Sequence, residues 1–165
     1  VNNPAFTSES LSDLSLNVGV GYLDATFDKF ENANDPIADL TIDASGNRNV
    51  LSPKWSINVS ADHEFPLANL GVLVSHVDYS YRAEYYPQSA IHNNPTTLLP
   101  GYGLLNARVG IQSEAGNWGV YLWSKNLTNE SSVTNRNRRG FLFTAGLAEY
   151  YTEPRTYGLT VRYSF

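Results

Sequence analysis

The chain has 165 residues, no cysteine and a net charge of −5. Without cysteine it forms neither disulfides nor thiolate metal sites, and its acidic balance argues against nucleic-acid binding, which depends on basic patches meeting phosphates. The 42% hydrophobic content includes no apolar run near the roughly 18 residues of a membrane-spanning helix, although eleven tyrosines and three tryptophans supply rings that suit a membrane interface.

Six segments alternate apolar and polar residues with a period of two, which predicts β-strands with one apolar side and one polar side. The predicted strands are residues 11–27, 54–65, 72–86, 102–113, 118–127 and 156–165. The fifth is the least regular, because Ser124 falls on its apolar side. No segment has a convincing helical period, so the predicted fold class is all-β.

The last strand shows the alternation most clearly. Its apolar side holds Tyr157, Leu159, Val161, Tyr163 and Phe165, and its polar side holds Thr156, Gly158, Thr160, Arg162 and Ser164. About nine to eleven tilted residues are enough to cross a bilayer as a strand. An alternating, aromatic-flanked strand that ends on Phe165 is typical of an outer-membrane β-barrel, but the edge strand of a soluble β-sandwich alternates in the same way.

The placement of charge supports the barrel. The charged residues lie on the polar sides of their strands: Asp62, Glu64, Asp78, Arg82, Glu84, Arg108, Lys125 and Arg162. A Lys or Arg on the lipid face at mid-bilayer costs about 2–4 kcal/mol, so a barrel with a wet lumen requires this segregation. A sandwich also directs its charges to water, so the pattern is supportive without being unique.

The lengths of the connectors distinguish a membrane barrel from a soluble β-sandwich. Long connectors at residues 28–53, 87–101 and 128–152 alternate with short turns at residues 66–71 and 114–117. This alternation places every long connector at one end, as in barrels with short periplasmic turns and long extracellular loops. Six strands leave two open edges that hydrocarbon cannot satisfy, so the chain is predicted to be part of a longer barrel.

Six motifs in order along the chain resemble the C-terminal barrel region of TonB-dependent outer-membrane receptors. They are GYLDATF at residues 21–27, GNR with SPKW at residues 46–48 and 52–55, YSYR at residues 79–82, YGLLNARVG at residues 102–110, KNLTNE at residues 125–130, and EPRTYG with RYSF at residues 153–158 and 162–165. Asn129 stands where the family's K-N-L-x-D-x element more usually has Asp. The resemblance implies that residues 1–165 are one C-terminal segment, the last six strands of a 22-stranded transmembrane antiparallel β-barrel, with the plug and the N-terminal strands absent.

The same resemblance implies a receptor in the bacterial outer membrane that takes up a scarce solute, such as a ferric siderophore, with energy delivered by TonB. The implied partners are TonB, through the missing N-terminal plug region, outer-membrane lipid and lipopolysaccharide, the small-molecule substrate, and the outer-membrane assembly machinery. Phe165 is implied as the C-terminal assembly signal. Two alternatives stay open: a passive porin-type barrel, and a soluble secreted β-sandwich that binds carbohydrate through aromatic side chains.

Candidate site residues are few. Arg136, Arg138 and Arg139 form the only basic cluster, in the last long connector, and arginine forks suit the carboxylates of an anionic ligand such as a ferric chelate. Two other interpretations explain the same three arginines: contact with lipopolysaccharide phosphates, or a solvated loop without a binding role. No serine stands in a recognisable catalytic motif, so the chain is expected to be no enzyme and to need no cofactor. No metal site is expected, because His63, His76 and His92 lack ligand spacing and Asp35, Asp39 and Asp43 lack the other positions of a calcium loop.

Overall fold

A computed structural model describes residues 13–35, 40–88, 90–138 and 147–165. In chain order the strands are β1 (Leu14–Tyr22), β2 (Ala33–Asp35), β3 (Leu40–Ile42), β4 (Trp55–Pro66), β5 (Val72–Arg82), β6 (Tyr102–Gln112), β7 (Trp118–Lys125), β8 (Val133–Arg138), β9 (Leu147–Tyr151) and β10 (Thr156–Tyr163). Two short 3₁₀ helices lie at Ala68–Leu70 and Pro95–Thr97. Within the described ranges, no helix has the length and apolar character needed to span a membrane.

The six predicted strands form one antiparallel sheet in the order β1-β4-β5-β6-β7-β10. Each strand therefore pairs with its neighbours among the predicted six, as the all-β prediction requires, and the first and last strands of the sheet each keep an open edge. The sheet does not close on itself in this chain. The remaining four strands form two hairpins, β2–β3 and β8–β9, inside the first and third long connectors, where the alternation of the sequence predicted no strand.

Two predicted strands end four or five residues earlier in the structure than in the sequence pattern. The first ends at Tyr22 rather than at residue 27, and the third ends at Arg82 rather than at residue 86. In both cases the alternation continues beyond the sheet because the chain goes on pairing with a connector. Isolated bridges join Thr26 to Arg48 and Tyr85 to Leu99.

The register of the sheet separates an apolar face from a polar face. Val18, Val59 and Tyr79 lie directly opposite one another on β1, β4 and β5. At the adjacent position of each strand, Asn17, Ser60 and Asp78 also lie directly opposite one another, and they point to the polar face. The predicted parity is confirmed, with three polar exceptions on the apolar face: His63, Ser75 and Ser124.

No second layer of the described residues packs on the apolar face. Its side chains on β1 and β10 are more than half exposed, and Val161 reaches 68%. The buried hydrophobic side chains of the described residues lie in or beside the first two long connectors instead: Ala33, Ala44, Tyr85, Tyr86, Ala90 and Leu99. A soluble β-sandwich buries its apolar face under a second sheet, and the described chain supplies no such layer. The structure therefore does not favour the sandwich alternative.

The two ends of the sheet differ as predicted. At the short-turn end, tight turns join β4 to β5 around Gly71 and β6 to β7 around Gly116, both with positive φ. At the long-loop end, the three long connectors run between β1 and β4, β5 and β6, and β7 and β10. An antiparallel meander returns every second connection to the same end, so all three long connectors meet there.

Candidate functional site

The polar face bears a network of side-chain contacts across β4, β5 and β6. His76 on β5 places Nδ1 2.6 Å from Asp62 Oδ1 and Nε2 3.5 Å from Asp78 Oδ1. Asn106 Nδ2 donates to the other oxygen of Asp78 at 2.7 Å. These groups lie in adjacent rows of the sheet, and each holds the next in place. The network gives the polar face a fixed set of hydrogen-bonding groups, suited to water and polar solutes.

The aromatic ring of Tyr121 covers the part of the polar face where β6 and β7 carry glycine. The Tyr121 hydroxyl donates to Gln112 Oε1 at 2.9 Å, and the Arg108 guanidinium lies 5.5 Å from the centre of the Tyr121 ring. The ring lies across Gly110 and Gly119, where any Cβ would overlap it. The ring therefore occupies the space that a side chain at either glycine would need.

The first and second long connectors are tied together. His92 Nδ1 lies 2.6 Å from Asp35 Oδ2, and Asp35 is fully buried at the end of β2. The Asn93 side chain bonds the Arg48 backbone twice: its Oδ1 accepts from the amide nitrogen at 2.6 Å, and its Nδ2 donates to the carbonyl at 3.0 Å. Asn93 has a φ of 52°, a conformation that Asn tolerates better than most residues. The two connectors therefore form one packed unit.

The second connector is joined in turn to the third. The buried Tyr85 hydroxyl donates to the Thr134 carbonyl in β8 at 2.6 Å. Burial, reinforced by the nearby Tyr102, raises the pKa of Tyr85 above its ordinary value, so the hydroxyl keeps the proton that it donates. The described parts of the three long connectors are thus joined to one another, and we call this joined unit at the long-loop end the rim.

The predicted basic cluster is partly described. In the β8–β9 hairpin, Arg136 Nε donates to Glu149 Oε1 and the Tyr151 hydroxyl donates to Glu149 Oε2, both at 2.7 Å. The Tyr151 hydrogen bond and then the Arg136 contacts lower the pKa of Glu149, and the bond to Glu149 raises the pKa of Tyr151. Arg138 pairs with Leu147 in the backbone register, and Arg139 lies outside the described residues, so the three-arginine cluster stays a prediction.

Asn126 is a structural residue that the sequence did not single out beyond its place in the KNLTNE motif. It is 3% exposed and has a φ of 49°. Its Nδ2 donates to the carbonyls of Glu130 and Glu153, its Oδ1 accepts from the Glu130 amide, and its own amide donates to Asn106 Oδ1, at 2.8–2.9 Å. One side chain therefore anchors both ends of the third connector to the top of the sheet.

The other predicted positions lie apart from this rim. Phe165 is fully exposed at the short-turn end, where its ring contacts Tyr163 edge-on with centroids 5.1 Å apart. In the described ranges, no group of three or more His, Cys, Asp or Glu side chains is arranged to hold a metal ion. Asp43 instead accepts from the Ser45 amide at 2.9 Å, and contacts with Ser45 lower the pKa of Asp43. Asp39 is outside the described residues.

An antiparallel sheet with an uncovered apolar face, a hydrogen-bonded polar face and all its long connectors at one end is the wall of a transmembrane β-barrel. A sequence model described as "TonB dependent receptor-like, beta-barrel" matches residues 5–127. The chain belongs to this family of receptors, whose members are outer-membrane proteins of Gram-negative bacteria. The apolar face is accordingly the lipid face, the polar face is the lumen face, and the long-loop end is extracellular.

Three solved structures share the fold at low sequence identity. The ferric yersiniabactin uptake receptor FyuA from Yersinia pestis matches with a TM-score of 0.71 and 17% identity over 92% of this chain. The ferric-catecholate import receptor Fiu from E. coli K12 matches with a TM-score of 0.63 and 16% identity over 92% of this chain. The ferric preacinetobactin receptor BauA from Acinetobacter baumannii matches with a TM-score of 0.58 and 24% identity over 91% of this chain. The chain covers 21%, 19% and 20% of these proteins, respectively, or about a fifth of each.

Proposed function

We propose that residues 1–165 form one segment, the last six strands of a 22-stranded barrel, in a receptor that imports a ferric siderophore. The observation that carries this proposal is the joined rim of connectors at the extracellular end of a sheet with a polar lumen face, with Arg136 held on the rim by Glu149. The three structural neighbours are named as receptors or uptake proteins for ferric chelates, which supports the same class of substrate. The plug, the remaining strands and the contact with TonB belong to the rest of the receptor.

The test uses the full-length receptor in a host without its own siderophore receptors. Uptake of radioactive iron is measured with ferric hydroxamate, ferric catecholate and mixed-ligand chelates, with and without TonB. We expect at least one chelate to be taken up only when TonB is present. A passive porin-type barrel predicts uptake that is indifferent to TonB, and that result would contradict the proposal.

Replacing Arg136 with glutamine is expected to weaken the binding of an anionic ferric chelate. Glu149 holds the guanidinium of Arg136 in place, but the guanidinium is partly exposed to solvent. Its loss is therefore expected to cost about 1 kcal/mol of binding free energy, which is about fivefold in affinity. The matched control is Lys29→Gln, which removes a cation of the same loop end whose ion pair with Glu31 is mostly exposed. Equal binding by both variants, with equal amounts of heat-modifiable folded receptor, would contradict a ligand role for Arg136.

Deleting Phe165 is expected to lower the amount of folded receptor in the outer membrane severalfold without changing the melting temperature of what does fold. Within these six strands the ring is fully exposed and, among the aromatic rings described, contacts only Tyr163, so it adds little to their stability. A loss of yield therefore reports on recognition by the assembly machinery. Phe165→Trp, which keeps a terminal aromatic, is the control. Unchanged yield after the deletion would reject the assembly role.

A further inference from the structure

A groove of about 560 Å³ lies on the lumen face, near the short-turn end of the sheet. Apart from His63 and Ser75, the residues that line it belong to the polar sides of their strands. Arg108 on β6 and Arg162 on β10 both line the groove, and both are exposed. Within the described ranges, neither guanidinium has an ion-pair or hydrogen-bond partner. Both cations are therefore available to an anion in the groove.

Two aromatic side chains of β7 form the floor of the groove. The Trp123 ring lies over Gly158 of β10, and the Tyr121 ring lies over Gly110 of β6, so that a Cβ at either glycine would overlap the ring. Trp123 Nε1 also donates to Thr160 Oγ1 at 3.2 Å. These contacts hold the rings against the backbone. The groove therefore combines apolar ring faces with charged groups, which suits an organic solute that carries charge.

Charge is separated across the groove. Its carboxylates, Asp62 and Glu64, lie on β4, whereas its two guanidiniums lie on β6 and β10. His76 contacts Asp62 at 2.6 Å, so that carboxylate already has a partner. Glu64 is in the same row of the sheet as Thr160 but four strand spacings away, which is roughly 19 Å at about 4.8 Å for each spacing. The side of the groove next to β10 is therefore basic.

We propose that this basic side is an anion-binding site on the lumen wall, which receives a ferric chelate with several anionic groups on its way from the rim to the periplasm. The Tyr121 ring holds Arg108 from β6, and Arg162 extends from β10, so the two cations approach such a solute from different sides. Arginine forks suit carboxylates and similar oxyanions. The identity of the anion rests on the proposed function, whereas the preference of the site for anions does not.

The site is tested by the reaction of one cysteine in the full-length receptor with thiol reagents of opposite charge. The 165 residues contain no cysteine, and any cysteine elsewhere in the receptor is replaced by serine. Thr160→Cys places the thiol on the basic side of the groove, and Asn17→Cys places a control thiol on the lumen face of β1. The reagents are the anionic sulfonatoethyl and the cationic trimethylammonioethyl methanethiosulfonates. Each rate is divided by the rate of the same reagent with free 2-mercaptoethanol.

At Thr160→Cys the anionic reagent is expected to react about tenfold faster than the cationic one, and no preference for the anion is expected at Asn17→Cys. Adding Arg108→Gln or Arg162→Gln to Thr160→Cys is expected to lower the preference by about threefold each, because each change removes a unit charge from a wet, partly screened site. Arg155→Gln is the matched control, since it removes a cation that precedes β10 and does not line the groove. Equal rates at Thr160→Cys, or a preference that survives both groove variants, would overturn the site.

Uptake of radioactive iron separates this site from the proposed function. For an anionic chelate that the native receptor imports, Arg108→Gln and Arg162→Gln are each expected to lower the maximal TonB-dependent rate about fivefold. The Kd of the chelate on intact cells is expected to stay the same, because the rim binds it first. Anion preference at Thr160→Cys without uptake of any chelate would reject the proposed function and keep the site. Unchanged rates in both arginine variants, or import of uncharged chelates only, would overturn the role in transit.

Discussion

Replacing Gly71 with alanine is expected to destroy most of the folded, heat-modifiable receptor. Gly71 closes the turn between β4 and β5 with φ 101° and ψ −144°, a region that is essentially restricted to glycine. A Cβ at this position would also overlap the Gln112 carbonyl oxygen and lie 3.1 Å from its carbon. Because Gln112 pairs with Val72 in the sheet, the backbone cannot move away without breaking the β5–β6 pairing. Strain and overpacking together cost about 3 kcal/mol or more.

Gly116→Ala is the matched control for Gly71→Ala. Gly116 also lies in a tight turn at the periplasmic end, with a φ of 69°, but a Cβ there meets nothing within 4 Å. Only the left-handed backbone is penalised, by about 1 kcal/mol. Melting temperatures and folded yields of the two full-length variants provide the comparison. Equal losses in both would contradict the role assigned to the contact with Gln112.

Replacing Asn126 with alanine is expected to be as damaging at the opposite end of the sheet. The change removes three side-chain hydrogen bonds, to the Glu130 amide and to the Glu130 and Glu153 carbonyls, in a site that is almost fully buried. Each buried polar group left without a partner costs about 1–3 kcal/mol, and alanine tolerates the positive φ less well than asparagine. We expect a loss of about 3 kcal/mol or more, and a third connector that proteases cut in the otherwise folded receptor.

Asn129→Ala separates this role from the general cost of replacing asparagine in a turn. Asn129 has a similar φ of 56°, but the hydrogen bond of its side chain is a longer one, in which Oδ1 accepts from the Arg155 amide at 3.3 Å. A loss of about 1 kcal/mol is expected there. If protease sensitivity and melting temperature shift equally in the two variants, Asn126 is no more of an anchor than its neighbour.

Local pattern was enough to predict the wall of the barrel. The alternation around Val161 and Arg162 assigns one residue to lipid and the next to the lumen, because a strand turns successive side chains to opposite faces. The spacing of the connectors predicted which end holds the long loops, since an antiparallel meander admits one arrangement only. The family resemblance agreed with both, and the match over residues 5–127 confirms it. The alternation of side chains and the alternation of connector lengths are both periodic, so the sequence predicts them without information on any tertiary contact.

The rim depends on contacts that no sequence period encodes. Asp35 contacts His92, which lies 57 positions further along the sequence, and Tyr85 contacts Thr134, which lies 49 positions further along. Each of these residues lies in or beside a segment whose sequence predicts an irregular loop. Side-chain size, register and non-local hydrogen bonds combine only when the strands are side by side. For this reason the sequence by itself determined the membrane-spanning wall, and the tertiary structure decided how its loops are joined.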